Sequence, residues 1–255
     1  MIGIIVGFVV AGYCVVSLGM DGSLGPFYDL PSIGIVFGGI IGTMCIQLPM
    51  GALKQAFTVF MKAATYKPRD PVEIIKRICE YSEVARRDGI LALEGVLAGI
   101  DDAFLRQGLQ LAVDGTDPEL IADILETEMG NLEDRHNMGK KVWETFKNGG
   151  PSWGALGTVI GLIIMLKGGV EDPNKLTAGM AVALITTFYG SIIASYLVGP
   201  IVDRLDVNNK DEIALKTIML KGIMAIQAGD NPRIVEQKLK IFLPPRQRGF
   251  GKEPG

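Results

Sequence analysis

Three threonines, Thr158, Thr186 and Thr187, stand in otherwise apolar stretches of this chain, accompanied by Ser152, Tyr189, Ser191 and Ser195. A threonine hydroxyl beside backbone carbonyls is a hard oxygen donor that can replace part of the hydration shell of a small cation. It carries no charge, so it can select a cation but hardly retain one. The same hydroxyls can instead bond to the carbonyl one turn back in a packed bundle, and composition alone does not choose between the two. In either case the charged ligand is missing, because no Asp or Glu lies in those stretches. A balancing carboxylate has to come from elsewhere, and a partner subunit is the simplest source.

Other residue sets also stand out. Pro151 opens one apolar stretch and Pro200 closes another. A proline at a helix start is cheap, and one at a helix end frees the carbonyl four residues back, here that of Tyr196. Both read first as start and stop signals, with hinges as the sharper use. Arg86, Arg87 and Glu94 flank Gly89 in a charged block and read from charge pattern as a solvated face. Asp29 precedes Leu30-Pro31; it is placed to attract cations at an entrance and equally to cap a helix.

The elements that would hold these residues follow from where charge is absent. No Lys or Arg precedes Lys54, and Ile2–Met20, Leu30–Leu53, Asn148–Leu166 and Leu176–Val202 carry no acidic or basic side chain. Each is long enough for a helix to cross a hydrocarbon core of about 30 Å. The expectation is an all-α, polytopic membrane protein with four transmembrane helices and a helical cytoplasmic domain. Four segments result: 1–53 with spans one and two and a short outer loop, 54–147 as a cytoplasmic helical domain, 148–202 with spans three and four, and 203–255 as cytoplasmic helices and tail. The loop Asp21–Asp29 has no basic residue, whereas 54–147 holds thirteen, so both termini and the large loop are expected in the cytoplasm.

Within the charged blocks, Asp70-Pro71, Asp117-Pro118 and Asn231-Pro232 read as helix starts, and Gly89 and Gly115 as punctuation. The second of these helices is expected to run through Trp143 and Phe146 and break at Gly149-Gly150. After Pro200 the chain is expected to leave the membrane. Gly38-x-x-x-Gly42 and Gly157-x-x-x-Gly161 are close-approach faces, and packing against other subunits is the favoured use, since four spans are thin for enclosing a path.

Composition narrows function. The net charge of −3 gives no sign of nucleic-acid binding. Three cysteines without ligand spacing and one histidine, His136, argue against a disulfide framework or a metal enzyme. No nucleophile–base pair or phosphate loop is visible, so no enzyme and no tightly bound cofactor are expected.

The chain resembles the MotA/PomA family of bacterial flagellar stator subunits, within the group that includes ExbB and TolQ. The resemblance covers nearly the whole chain. It rests on Gly22–Gly25, Ala85–Glu94, Val113–Gly115, Glu133–His136, Pro151–Leu162 and Met180–Gly190. It implies a homopentamer around a single-span MotB/PomB-like partner that supplies the ion-binding Asp, in the bacterial inner membrane. It implies that Arg86 and Glu94, with Arg87 beside them, contact the rotor protein FliG. It also implies that Pro151 and Pro200 couple ion flow to motion, overturning the bland reading of both sets.

In the sodium-driven PomA-like branch, threonines occupy the positions of Thr158 and Thr187, with a second threonine at Thr186. Proton-driven members often carry Ala at the position of Thr158 and Ala or Gly at that of Thr186. The full set here favours Na⁺ over H⁺ as the transported ion. Two competitors remain: an ExbB/TolQ-like ring, disfavoured by the Arg86–Glu94 motif, and a self-sufficient cation channel, disfavoured by the absence of internal repeats and of a membrane carboxylate.

Overall fold

The computed structural model describes residues 25–66, 69–168 and 172–249, together with Val9, Gly12, Tyr13 and Ser17. Among these residues there is no strand. Among the described residues the helices that matter here are α1 Leu30–Gln47, α2 Met50–Thr65, α3 Pro71–Asp88, α4 Glu94–Leu97, α5 Ala103–Val113, α6 Pro118–Lys167, α7 Pro173–Gln227 and α8 Pro232–Lys240. Three of them, α1, α6 and α7, contain stretches long and apolar enough to cross a membrane. The first expected span, Ile2–Met20, lies outside the described residues but for Val9, Gly12, Tyr13 and Ser17, as do residues 21–24 of the outer loop and 250–255 of the tail.

Helix starts follow a repeated local rule. Asp70 accepts from Val72 N at 2.9 Å, Asp117 from Glu119 N at 2.9 Å, Asp172 from Asn174 N at 3.1 Å and Asn231 from Arg233 N at 3.1 Å. Each cap precedes a proline, whose fixed φ suits the first helical turn and whose missing N–H would have been unpaired there anyway. Helix stops use glycine. After α5, Gly115 takes φ +76° while Thr116 N reaches back to Leu111 O at 3.0 Å. After α7, Gly229 takes φ +71° while Asp230 N reaches Ala225 O at 3.0 Å. Both are six-to-one closures that satisfy the last carbonyls.

Two expectations are corrected by α6 and α7. No break occurs at Gly149-Gly150: α6 runs uninterrupted for 50 residues, with Pro151 inside it. A Cβ on Gly149 would press on Ile40 of α1 and one on Gly150 on Gly190 O of α7, and the Ser152 hydroxyl bonds to Asn148 O at 3.0 Å beside the proline. Likewise the chain does not end a helix at Pro200. A π-helical stretch, Ile193–Val198, precedes Pro200, and α7 continues to Gln227. The wider turn gives the proline ring room against the carbonyls behind it, so the helix bends its winding instead of stopping.

The chain divides into two compact units. One comprises Met1–Tyr66 with His136–Val207; the other comprises Lys67–Arg135 with Asn208–Gly255. α6 and α7 each contribute residues to both, so the expected boundaries at 147/148 and 202/203 fall inside continuous helices. The second unit has a conventional apolar core, with Ile75, Ile78, Leu109, Ile121, Leu125, Ile223 and Leu239 all buried. In the first unit, Val36 and Ile40 of α1 pack with Ile193, Val198 and Val202 of α7, next to Trp143, Phe146 and Trp153 of α6.

Candidate functional site

The seam between α6 and α7 determines where the threonines point. A Cβ placed on Gly150 would lie 2.6 Å from Gly190 O, one on Gly161 2.6 Å from Gly179 O, and one on Gly179 2.7 Å from Gly161 O. Glycines at 150, 154, 157 and 161 thus meet positions 179, 183, 186 and 190 with the same four-three-four spacing. The backbones come close enough that any side chain would separate them, as in small-residue membrane seams generally. This corrects the favoured use of Gly157-x-x-x-Gly161, which packs within the chain. Among the described residues none lies within 4 Å of where a Cβ on Gly38 or Gly42 would stand.

Close approach brings two of the three threonines together. Thr158 Oγ1 lies 2.5 Å from Thr187 Oγ1. Thr158 Oγ1 is also 3.1 Å from Gly154 O and 3.2 Å from Ala183 O, and Thr187 Oγ1 is 3.2 Å from Ala183 O. At this distance one hydroxyl donates to the other: with Thr158 donating to Thr187 and Thr187 to Ala183 O, each oxygen still keeps a lone pair for a common ligand. They line an open groove of about 300 Å³ with Pro151, Ala155, Val159 and Ser191. Pro151 therefore lies in the same groove as the hydroxyl pair.

Thr186 is placed differently. It is fully buried against Gly157, and its hydroxyl donates to Val182 O at 2.8 Å. A position one residue from Thr187 is rotated about 100° around the helix, so the two cannot share a face.

Asp29 caps α1, accepting from Ser32 N at 2.9 Å. Its own N–H donates to Tyr189 Oη at 3.3 Å, and Tyr189 Oη donates to Phe27 O. Phe27 and Phe188 rings lie 5.3 Å apart. Tyr189 thus ties the start of α1 to the middle of the α7 span, two residues from Thr187. Sequence reading singled Tyr189 out only as a polar residue; nothing in its spacing indicates this partner. Trp153 entered the sequence reading only as part of the Pro151–Leu162 stretch: its Nε1–H donates to Thr43 Oγ1 at 2.9 Å, and its ring fills the space left by Gly39.

Below the prolines, ion pairs join α6 to α7. Lys140 Nζ is 2.8 Å from Asp206, and Lys147 Nζ is 3.9 Å from Asp203. The hydrogen bond to Asp206 holds the Lys140 ammonium above its ordinary range, against a smaller opposing effect of burial.

In the second unit, Arg86 ends α3 and Glu94 begins α4, both exposed, on either side of Gly89 at φ +86°. Arg87 is taken up locally by Asp88 at 2.7 Å. Neither Arg86 nor Glu94 has an ion-pair partner among the described residues. The exposed Leu91 lies between them in sequence. No group of three or more metal-ligating side chains occurs among the described residues.

The model of the MotA/TolQ/ExbB proton channel family matches residues 97–218. Motility protein A of Borreliella burgdorferi is 40% identical over 228 residues, covering 88% of this chain and 86% of that protein. The chain belongs to this family. Within it, chemotaxis protein PomA of Vibrio alginolyticus is 34% identical, covering 95% of this chain and 94% of its own length. A chain of the flagellar MotAB stator complex from Bacillus subtilis superposes with a TM-score of 0.85 at 32% identity, covering 98% of each chain. A chain of the Campylobacter jejuni MotAB structure gives 0.84 at 28% identity, covering 97% and 99%. The α6–α7 seam and its hydroxyl pair are accordingly those of a flagellar stator A subunit, a multi-pass membrane component of the motor's ion channel.

Proposed function

We propose that this chain forms a sodium-conducting stator with a single-span MotB-like partner and turns against the rotor protein FliG. The observation that carries the ion reading is the Thr158–Thr187 pair, two neutral oxygens 2.5 Å apart on an open groove. A sodium ion needs several oxygen ligands at once, whereas a proton needs one acceptor and a path. The apolar stretches hold no carboxylate, so the partner supplies the ion-binding Asp. Thr186 acts behind this pair, keeping α7 against Gly157 so that Thr187 faces the groove.

Partner and self-association are supported by the structural relatives, which are MotAB complexes. Five copies around two partner chains is the arrangement we adopt. Both termini and the second unit lie in the cytoplasm, because Lys140, Lys141 and Lys147 crowd one end of the spans. Asp29 stands at the ion entrance. Pro151, in the groove, and Pro200, after the π-helical stretch, convert ion release into helix movement. Arg86 and Glu94, exposed and without ion-pair partners, engage FliG, with Arg87 adding positive charge beside them.

The description of the matched family as proton channels makes H⁺ the second reading. The two separate in a stator-less host given this chain and its cognate partner. Swimming speed should rise and saturate with external Na⁺ at fixed pH and osmolarity. Sodium-independent swimming would assign the motor to protons and reduce Thr158 and Thr187 to packing residues.

A further inference from the structure

We infer that α2 lies on the membrane surface and recognises anionic phospholipid headgroups, with Lys54 and Lys62 toward the phosphates and Met50, Phe57 and Met61 against the acyl chains. The surface is that of the cytoplasmic leaflet, which rests on the orientation proposed above and is independent of the coupled ion. Three sectors divide the helix at about 100° per residue. Leu53, Ala56, Val59 and Phe60 fall on one side and are partly buried. Val59 stands where a Cβ on Gly139 of α6 would come within 3.0 Å, and the Phe60 ring lies 5.7 Å from that of Trp143. Beside them Met50, Lys54, Phe57 and Met61 follow at steps of four, three and four, the spacing of one face. All four are exposed, Phe57 by 71%. Gln55, Thr58, Lys62 and Thr65 complete the exposed arc on the far side.

Both ends of α2 are tied to the membrane boundary. Its start follows the apolar helix α1 through Leu48 and Pro49 alone, a link that reaches at most about 11 Å. Its later turns meet α6 at Trp143 and Gly139. Trp143 precedes Asn148, where the charge-free stretch of α6 begins, by a rise of about 7 Å. A helix of 16 residues, about 24 Å long, that is held near this level at both ends runs along the surface instead of dropping away from it. An interfacial helix seats its apolar face about 5–10 Å into the boundary between headgroups and acyl chains, which is the depth these anchors set.

Charge selects the lipid. Between Asp29 and Asp70 the chain holds no Asp or Glu, and α2 carries Lys54 and Lys62. Neither lysine has an ion-pair partner among the described residues. The exposed side of α2 is therefore cationic along one edge and apolar along the other, with nothing acidic to offset it. Lys54 stands in the apolar stripe itself, where its stem can lie along Phe57 and Met50 while the ammonium reaches a phosphate. Each lysine near an anionic membrane surface favours attachment about fivefold.

Fluorescence quenching in the intact complex of this chain and a cysteine-free partner, reconstituted in phosphatidylcholine vesicles, tests the inference. Phe57→Cys and, separately, Met61→Cys carry an environment-sensitive dye in a background of Cys14→Ala, Cys45→Ala and Cys79→Ala. Only complexes that elute as the parent does are compared. The quencher is trace phosphatidylglycerol or trace phosphatidylcholine bearing a nitroxide near the top of one acyl chain. Both lipids should quench the dye, phosphatidylglycerol with about fivefold stronger association, and aqueous iodide should quench it little. Lys54→Gln combined with Lys62→Gln should bring the two lipids within about twofold while quenching by phosphatidylcholine persists. Equal quenching by the two lipids in the parent, or a preference that survives the Gln variants, overturns headgroup recognition by these lysines. Quenching by iodide and by neither lipid overturns the membrane contact, and quenching by nothing at both positions puts a second copy of the chain on this face. Sodium plays no part in the readout, so failure here leaves the stator reading intact, and sodium-independent swimming leaves this inference intact.

Discussion

Thr158 and Thr187 are 29 residues apart in sequence and share a hydroxyl contact of 2.5 Å across the α6–α7 seam. The contact exists because glycines at 150, 154, 157 and 161 let the two backbones approach. The proposed filter therefore has two separable parts, the oxygens and the seam that sets their spacing, and each makes its own prediction.

Removing one oxygen should weaken the site without loosening the helices. Thr158→Ala deletes a ligand worth about 1 kcal/mol, so half-saturating Na⁺ for swimming should rise roughly five- to tenfold. Thr158→Ser keeps the oxygen and should stay within about twofold of the parent. Complex yield on size exclusion should be the same for both. Equal sodium response of the Ala and Ser variants would remove the hydroxyl from the ion path.

Changing the seam should do the reverse. Gly150→Ala places a methyl group 2.6 Å from a backbone oxygen of α7, where no flexible side chain can yield. Overpacking of this sort costs about 1–3 kcal/mol. The purified complex should melt at lower temperature, and flux should fall because Thr158 and Thr187 part. Gly42→Ala, where no described residue lies within 4 Å, should leave the melting temperature of the isolated chain unchanged.

The rotor reading has a backbone test. Gly89 sits at φ +86° and ψ 159°, a region that is essentially glycine-only. Gly89→Ala forces the turn between Arg86 and Glu94 to rearrange, at a cost of about 1–3 kcal/mol. Motility should fall sharply while ion flux through the reconstituted complex is retained. Loss of flux and motility together would place the defect in folding or conduction instead.

Much of this arrangement is legible in the sequence, and the exceptions have physical causes. Helix starts at 71, 118 and 232 were readable because an Asp or Asn cap followed by Pro is a local signal. Asp172-Pro173 uses the same signal, hidden by the apolar run that follows it. The breaks expected at Gly149-Gly150 and at Pro200 did not occur, because tertiary packing decides whether a helix breaker breaks. Gly150 is held against Gly190, and the π-helical stretch before Pro200 absorbs its ring. Thr158, Thr186 and Thr187 look alike in sequence. Only the seam distinguishes the pair on the groove from the one behind it. Trp153–Thr43 and Tyr189–Asp29 join residues 110 and 160 positions apart, and no local pattern announces such bonds.

The Lys140–Asp206 pair should respond to charge exchange and to alkali. Lys140→Asp leaves Asp206 facing another acid and should lower the melting temperature and the swimming speed. Adding Asp206→Lys restores opposite charges and should recover both in part, which loss of an isolated lysine would not. Because the folded-state value of Lys140 is raised above 10.5, its contribution is fully present below that pH and is lost only as pH rises through the folded value. The pair should thus be insensitive to pH between 6 and 9 as read by melting temperature.

Cys79 supplies a reporter for the second unit. Burial, reinforced by Glu236 and Glu83, pushes its thiol up to about 11. At pH 8 only about one thiol in a thousand is then ionised, and the thiolate is the reactive form. Alkylation by iodoacetamide at pH 8, followed by peptide mass spectrometry, should leave Cys79 unmodified in the folded complex over a time that fully modifies it in denaturant. Leu109→Ala removes a fully buried side chain from the same core, at a cost of about 2–5 kcal/mol. In that variant Cys79 should become reactive under conditions where the parent stays protected. Rapid modification in the parent would mean that the thiol is not held in the packed, acid-flanked site that α3 provides.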